Sequence, residues 1–239
     1  FGIGAALKMY PIVFLAPLVL ERWWARDRKG AVVAGGAGLA TTLAINLPFM
    51  IANGDGWLAT YTFHKERFPN FDSIWWLGFP HWGPDQFNEW TTLLLLGTGL
   101  VCLGVGILQA RRRGIYPFLE VCGALLATFL LWNKVHSPQY TLWLLPFFVL
   151  LRVNVAWWVA YALADLAVYV GVFRYFYDFG QGNVDHSGWK TLMTVGVWTR
   201  AALLLGLIVV FLRSRPSWEA EATAPPAKPS EGAATVATA

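Results

Sequence analysis

Charge is scarce in this sequence. Only 13% of its 239 residues are Asp, Glu, Lys or Arg, about half of the roughly 25% that a soluble domain carries, which excludes a chain bathed in water over most of its surface. Cysteine is nearly absent. The two present, Cys102 and Cys122, fall inside apolar runs, so neither a disulfide framework nor a thiolate metal site is indicated and both read as packing residues. Several signatures of chemistry are missing as well. There is no His-x-x-x-His pair, no nucleophile elbow, no glycine-rich phosphate loop after a strand and no nucleic-acid motif. No internal repeat recurs at a fixed period and no two halves match, which disfavours inverted-repeat transporter architectures.

What is present is apolar length. Hydrophobic residues make up 56% of the chain, the mean hydropathy is +0.48, and the apolar residues come in runs of about 20, the length that crosses a hydrocarbon layer roughly 30 Å thick. The expected fold is therefore all-α, a multi-pass transmembrane helical bundle of about seven spans, near 1–20, 31–52, 91–110, 117–132, 140–151, 155–173 and 191–212. A polar and aromatic loop, 53–90, separates the second and third. Residues 213–239, rich in Ala, Pro, Thr and Glu, read as a disordered cytoplasmic tail. The chain begins at Phe1 inside an apolar run, with no initiating Met and no basic leader, so the expectation is a C-terminal fragment whose first spans lie upstream.

Basic residues orient the bundle. Arg22, Arg26, Arg28 and Lys29 follow the first run, Arg111, Arg112 and Arg113 the third, Arg152 the fifth, and Arg213 and Arg215 the last. All these clusters share one side when seven spans are counted, and the excess of Lys and Arg marks that side as cytoplasmic. The net charge of +4 thus reports orientation and anionic headgroups, with membrane lipids and not nucleic acid as partners. In the second run Ala34, Gly38 and Thr42 stand at four-residue spacing, a pattern that lets helix backbones approach closely.

Three polar groups face the opposite, extracytoplasmic side. Lys8 with Tyr10 lies about two helical turns inside the first span, where an ionisable side chain serves either a site or a snorkel to the interface. The loop places His64 and Arg67 beside Asp72, Trp75 and Trp76, a mixture that suits a phosphosugar: Arg67 offers a fork of donors to phosphate, while His64 or Asp72 exchanges protons. For the tryptophans an interfacial aromatic belt is the plainer reading. The turn at Asn133 crowds Lys134, His136, Ser137, Gln139 and Tyr140 between two apolar runs, more polar side chains than a connection requires; Lys134 and His136 suit phosphate, Gln139 and Tyr140 suit hydroxyls.

Two stretches resemble known proteins. Leu7-Lys8-Met9-Tyr10-Pro11, and Asn133-Lys134-Val135-His136-Ser137-Pro138-Gln139-Tyr140-Thr141-Leu142-Trp143-Leu144-Leu145-Pro146, are similar to polytopic bacterial glycosyltransferases of the GT-C superfamily, especially the family 87 mannosyltransferase-like proteins. The second also resembles the lysine-valine, serine-glutamine-tyrosine segment of the eukaryotic GPI mannosyltransferase catalytic subunit. The resemblance implies a mannosyl- or arabinosyl-type transfer from a polyprenyl-phosphate sugar donor to a lipid or glycan acceptor, outside the bacterial plasma membrane, by inversion with a carboxylate base. In that superfamily the base sits in the first extracytoplasmic loop, expected upstream of Phe1; Asp55, Asp72 and Asp85 lie in a later loop and do not match it. The substrate-binding set is then Lys8, Tyr10, His64, Arg67, Lys134, His136, Ser137, Gln139 and Tyr140, with Lys8, Arg67 and Lys134 as phosphate cations. No cofactor is identified, and a divalent metal is left open. A transporter or flippase of a lipid-linked or anionic solute would use the same cations, and a non-catalytic membrane subunit would need only the small-residue helix faces.

Overall fold

The computed structural model describes residues 1–8, 10–182 and 187–219. Met9, residues 183–186 in the connection before the last helix, and residues 220–239 of the expected tail lie outside the described residues. The chain forms ten α-helices among the described residues: α1 Gly2–Leu7, α2 Leu15–Trp24, α3 Arg28–Ala52, α4 Gly54–Glu66, α5 Ile74–Gly78, α6 Pro84–Arg113, α7 Phe118–Trp132, α8 Thr141–Leu150, α9 Val155–Gly180 and α10 Ser187–Arg213. This is an all-α membrane bundle.

Among the described residues four helices are long and apolar enough to cross a bilayer, α3, α6, α9 and α10, while α7 and α8 are shorter apolar helices. At ~1.5 Å per residue α7 extends only about 22 Å. The first expected span is broken. α1 stops at Leu7, a 3-10 helix occupies Tyr10–Phe14, and α2 follows; Pro11 has no N–H to continue an α-helical ladder. The segment expected as loop also carries structure. α4 starts where the Asn53 side chain accepts from the Gly56 N–H, α5 where Ser73 accepts from the Trp76 N–H, and α6 starts at Pro84 with Gln86 accepting from the Gly83 N–H. α6 ends at Gly114, φ +78°, a left-handed cap that glycine adopts without steric cost.

α7 is the axis of the core. Val121, Ala124, Leu126 and Ala127 are fully buried on it, and Gly123 lets the rings of Phe147 on α8 and Phe211 on α10 close against its backbone. The other helices turn apolar side chains outward: Leu39, Leu43 and Leu47 on α3, Leu96 and Leu100 on α6, and Leu163, Leu166 and Phe173 on α9 are exposed, as lipid contact requires. α3 does pack closely through small residues. A Cβ on Gly2 would lie 2.7 Å from the Gly38 carbonyl, and the Thr42 hydroxyl donates to the Gly2 carbonyl at 3.2 Å.

The tightest helix pair is α9 with α10. A Cβ on Gly171 would stand 2.7 Å from the Met193 backbone nitrogen, and one on Gly196 would stand 2.9 Å from that of Val168. Because backbone, not a movable side chain, fills that space, Gly171→Val is expected to cost about 1–3 kcal/mol. It should lower the thermal midpoint in detergent, whereas the same change at Gly36, which faces open space, should leave it within error.

The two ends of the bundle differ in kind. At one end Trp24 Nε1 donates to the Gly114 carbonyl, Arg113 reaches Glu120 at 3.7 Å, and the Arg152 N–H donates to the Arg215 carbonyl, so the basic clusters converge. The polar residues gather away from this end, and they build the site.

Candidate active site

The turn 133–137 between α7 and α8 is the centre of the polar layer. Asn133 leaves α7 in extended conformation, φ −64° and ψ 133°, and the chain runs against segment 67–73, which links α4 to α5. The two are stitched together. The Asn70 N–H donates to the Lys134 carbonyl at 3.0 Å, Asn70 Nδ2 to the His136 carbonyl at 2.8 Å, and Trp75, 2% exposed, sends its indole N–H to the Trp132 carbonyl. Trp75 is thus a core anchor, while Trp76 is exposed.

Two cavities lie on either side of this seam. The first, about 610 Å³, is bounded by segment 63–72 and by α9: Phe71, Trp76, Tyr169, Val172, Phe173 and Phe176 give it aromatic and aliphatic walls, and Arg67, Asp72, His136, Asp165 and Arg200 its polar surface. The second, about 620 Å³, lies toward α1: Lys8, Tyr10, Asn46, Trp57, Tyr61, His64, Asn133, Lys134, Tyr140 and Trp143 line it. Its wall is a stack of rings, with Tyr10 and Tyr140 each 4.0 Å from Trp143 between centroids, and the Lys8 ammonium rides 5.2 Å from the Trp143 ring. Such a face, with Asn46 and Asn133 beside it, is suited to a sugar ring.

The structure therefore divides the expected site residues. Lys8, Tyr10, His64, Lys134 and Tyr140 come together around the α1 cavity, Arg67 and His136 around the α9 cavity, and Ser137 and Gln139 line neither, Gln139 being exposed in the 3-10 turn Pro138–Tyr140 before α8. Arg67 is half-buried, lies 5.5 Å over the Phe63 ring and spends one guanidinium N–H on Asn70 Oδ1 at 2.9 Å. None of the carboxylates among the described residues pairs with it. Lys134, by contrast, is buried, with its ammonium donating to Lys65 O, Arg67 O and Asn88 Oδ1 at 3.2, 3.1 and 2.6 Å. Burial, and then the Arg67 charge, hold its pKa below the ordinary lysine value.

Sequence reasoning missed the strongest network. Asp165 on α9 and Arg200 on α10 are buried inside apolar spans; Arg200 donates to Asp165 Oδ1 at 2.9 Å and to the Asp72 carbonyl at 2.5 Å. Thr141 donates to Asp165 Oδ2, and the His136 ring meets Oδ1 at 3.2 Å. Burial pushes His136 below the ordinary histidine pKa, partly offset by the hydrogen bond to Asp165. The signal was there to read: one acid in the run 155–173 and one base in the run 191–212, each expensive in hydrocarbon and so placed for a purpose. Counting from Arg213, Arg200 stands about 20 Å along its helix. Among the described residues no group of three or more His, Cys, Asp and Glu side chains is placed to hold a metal ion.

A family model gives the class of chemistry. No curated protein and no solved structure matches the chain, but the model of glycosyltransferase family 87 matches residues 1–132. That match takes in α1 to α7, including Lys8, the Arg67 segment and the walls of the α1 cavity as far as Phe129. With more than half of its residues matched, the chain is a membrane glycosyltransferase and belongs to glycosyltransferase family 87.

Proposed function

We propose that this glycosyltransferase takes its sugar from a polyprenyl-phosphate carrier and transfers it, as a mannosyl- or arabinosyl-type reaction, to a lipid or glycan acceptor on the extracytoplasmic face of a bacterial plasma membrane. The observation that carries this reading is the α9 cavity: Arg67, with guanidinium donors left uncommitted among the described residues, stands at the polar part of a space whose other walls include aromatic and aliphatic side chains of the spanning helix α9 and of segment 63–72. An isoprenoid chain fits such walls, and its phosphate fits a fork of donors. The α1 cavity, with its ring stack and Lys8, suits the acceptor glycan. The convergence of basic clusters at the far end of the bundle supports the extracytoplasmic placement.

In the proposed reaction an acceptor hydroxyl oxygen forms a bond to the anomeric carbon as the bond from that carbon to the phosphate oxygen breaks. The hydroxyl proton goes to a carboxylate base, and the electron pair leaves on polyprenyl phosphate, which passes from a monoanionic diester to a monoester bearing one further negative charge. Cations fixed near that phosphate stabilise the transition state more than the ground state. Arg67, at the polar part of the α9 cavity, is suited to this task.

Membranes containing the full chain, supplied in parallel with radiolabelled polyprenyl-phosphate mannose, polyprenyl-phosphate arabinose and the corresponding sugar nucleotides, test the donor class. Label is expected in a lipid or glycan from a polyprenyl-linked donor. Incorporation from sugar nucleotides alone, in membranes unable to make the lipid-linked sugar, would overturn it.

A further inference from the structure

Lys134 carries a cation to the edge of the α1 cavity, yet its bonding gives it a different task. An ammonium has three protons, and all three are accepted from within the protein, by Lys65 O, Arg67 O and Asn88 Oδ1. Asn88 in turn donates through Nδ2 to the Lys65 carbonyl at 2.7 Å. These carbonyls sit at the C-terminal end of α4, where the last turn has no intrahelical donors and a positive charge is favoured. Lys134, from the distant turn after α7, therefore caps α4 and fixes where its chain departs.

What departs is Arg67. Its backbone is extended, φ −68° and ψ 143°, its carbonyl is held by Lys134 and its guanidinium by Asn70, which is itself bonded to the Lys134 and His136 carbonyls. The side chain is thus anchored at both ends to one turn. We infer that Lys134, together with Asn88, is a positioning residue that sets the Arg67 guanidinium against the donor phosphate without touching substrate itself. This rests on the reading of Arg67 as phosphate ligand. It also explains why two cations are tolerated side by side: the charge of Lys134 is screened by three oxygens, leaving Arg67 to act on the cavity.

The test uses the full chain in nanodiscs with K134M, K134R, N88A, R67A and the double variant K134M/R67A, following donor KM and kcat, the thermal midpoint, and amide hydrogen exchange over residues 65–70. K134M is expected to raise donor KM roughly tenfold with a smaller change in kcat, to speed exchange over 65–70 by more than its lowered thermal midpoint speeds exchange elsewhere in the chain, and to add little to the KM effect of R67A, because both act through one group. N88A should show the same pattern in weaker form and serves if K134M fails to fold; K134R, which keeps the charge, should recover part of the protection. Unaltered exchange over 65–70 in K134M or N88A, or losses that multiply in the double variant, would overturn the positioning role. If R67A leaves donor KM unchanged the phosphate reading fails, and exchange over 65–70 then decides the Lys134 clamp separately: faster exchange upholds it and wild-type protection overturns it.

Discussion

Asp165→Ala is expected to abolish sugar transfer and to lower stability by about 3–5 kcal/mol, the cost of stranding one member of a buried ion pair. Asp165 accepts hydrogen bonds from Arg200 and Thr141 and meets the His136 ring. With the carboxylate gone, the Arg200 cation keeps only the Asp72 carbonyl in an apolar interior, and the three pieces of chain it joins, α9, α10 and the segment before α5, lose their common tie. The pair itself need not be strongly stabilising, because desolvating two charges offsets most of their attraction. Asp165→Leu with Arg200→Leu should therefore recover most of the lost thermal midpoint while activity stays absent, since the polar floor of the α9 cavity goes with the pair. Thermal melts of the single and double variants check this. Equal destabilisation by both single changes that adds in the double variant would mean the two residues are not coupled.

Arg67→Ala has the second largest expected effect and acts on catalysis, not on folding. The residue is half-buried at a cavity edge, and its removal takes away one bond to Asn70 and a ring contact with Phe63, so the thermal midpoint should move little. A hydrogen bond to a charged group is worth about 1.5–3 kcal/mol, and two such bonds from one fork to a phosphate gaining charge are stronger in the transition state than before it. The expected result is a fall in kcat/KM on the order of a hundredfold or more. Arg67→Lys keeps the charge and loses the planar fork, and should fall between wild type and Arg67→Ala in steady-state kinetics with the lipid-linked donor. Equal activity in Arg67→Ala and wild type would remove Arg67 from the site.

Much of this architecture was legible in the apolar runs and their basic ends. Runs of hydrocarbon length announced the bundle, and the clusters at Arg113, Arg152 and Arg215 meet at one end as charge placement implied. The motif residues Lys8, Lys134 and Tyr140 share a cavity with His64 of the polar segment. Two things were not legible. The break of the first helix at Tyr10–Phe14 and the helices α4 and α5 inside a polar segment depend on tertiary partners: the Trp57 indole bonded to Asn46 and the Trp75 indole to the Trp132 carbonyl hold short elements that propensity alone does not stabilise. The second is partner choice. Sequence marks Lys134 as a cation near a site but does not reveal the three oxygens around it, and it shows Asp165 and Arg200 as isolated charges, 35 residues apart, with no sign that each is the other's counterion.

The most direct test of the account is to crosslink a photoactivatable polyprenyl phosphate, carrying the reactive group along the isoprenoid chain, to the full protein in nanodiscs and to map the adducts by mass spectrometry. Adducts at Phe71, Tyr169, Phe173 and Phe176, competed by unlabelled polyprenyl phosphate and reduced in Arg67→Ala, are the expected result. Adducts confined to α3 or to the basic end of the bundle, unaffected by competitor, would contradict the claim that the α9 cavity seats a polyprenyl-phosphate donor.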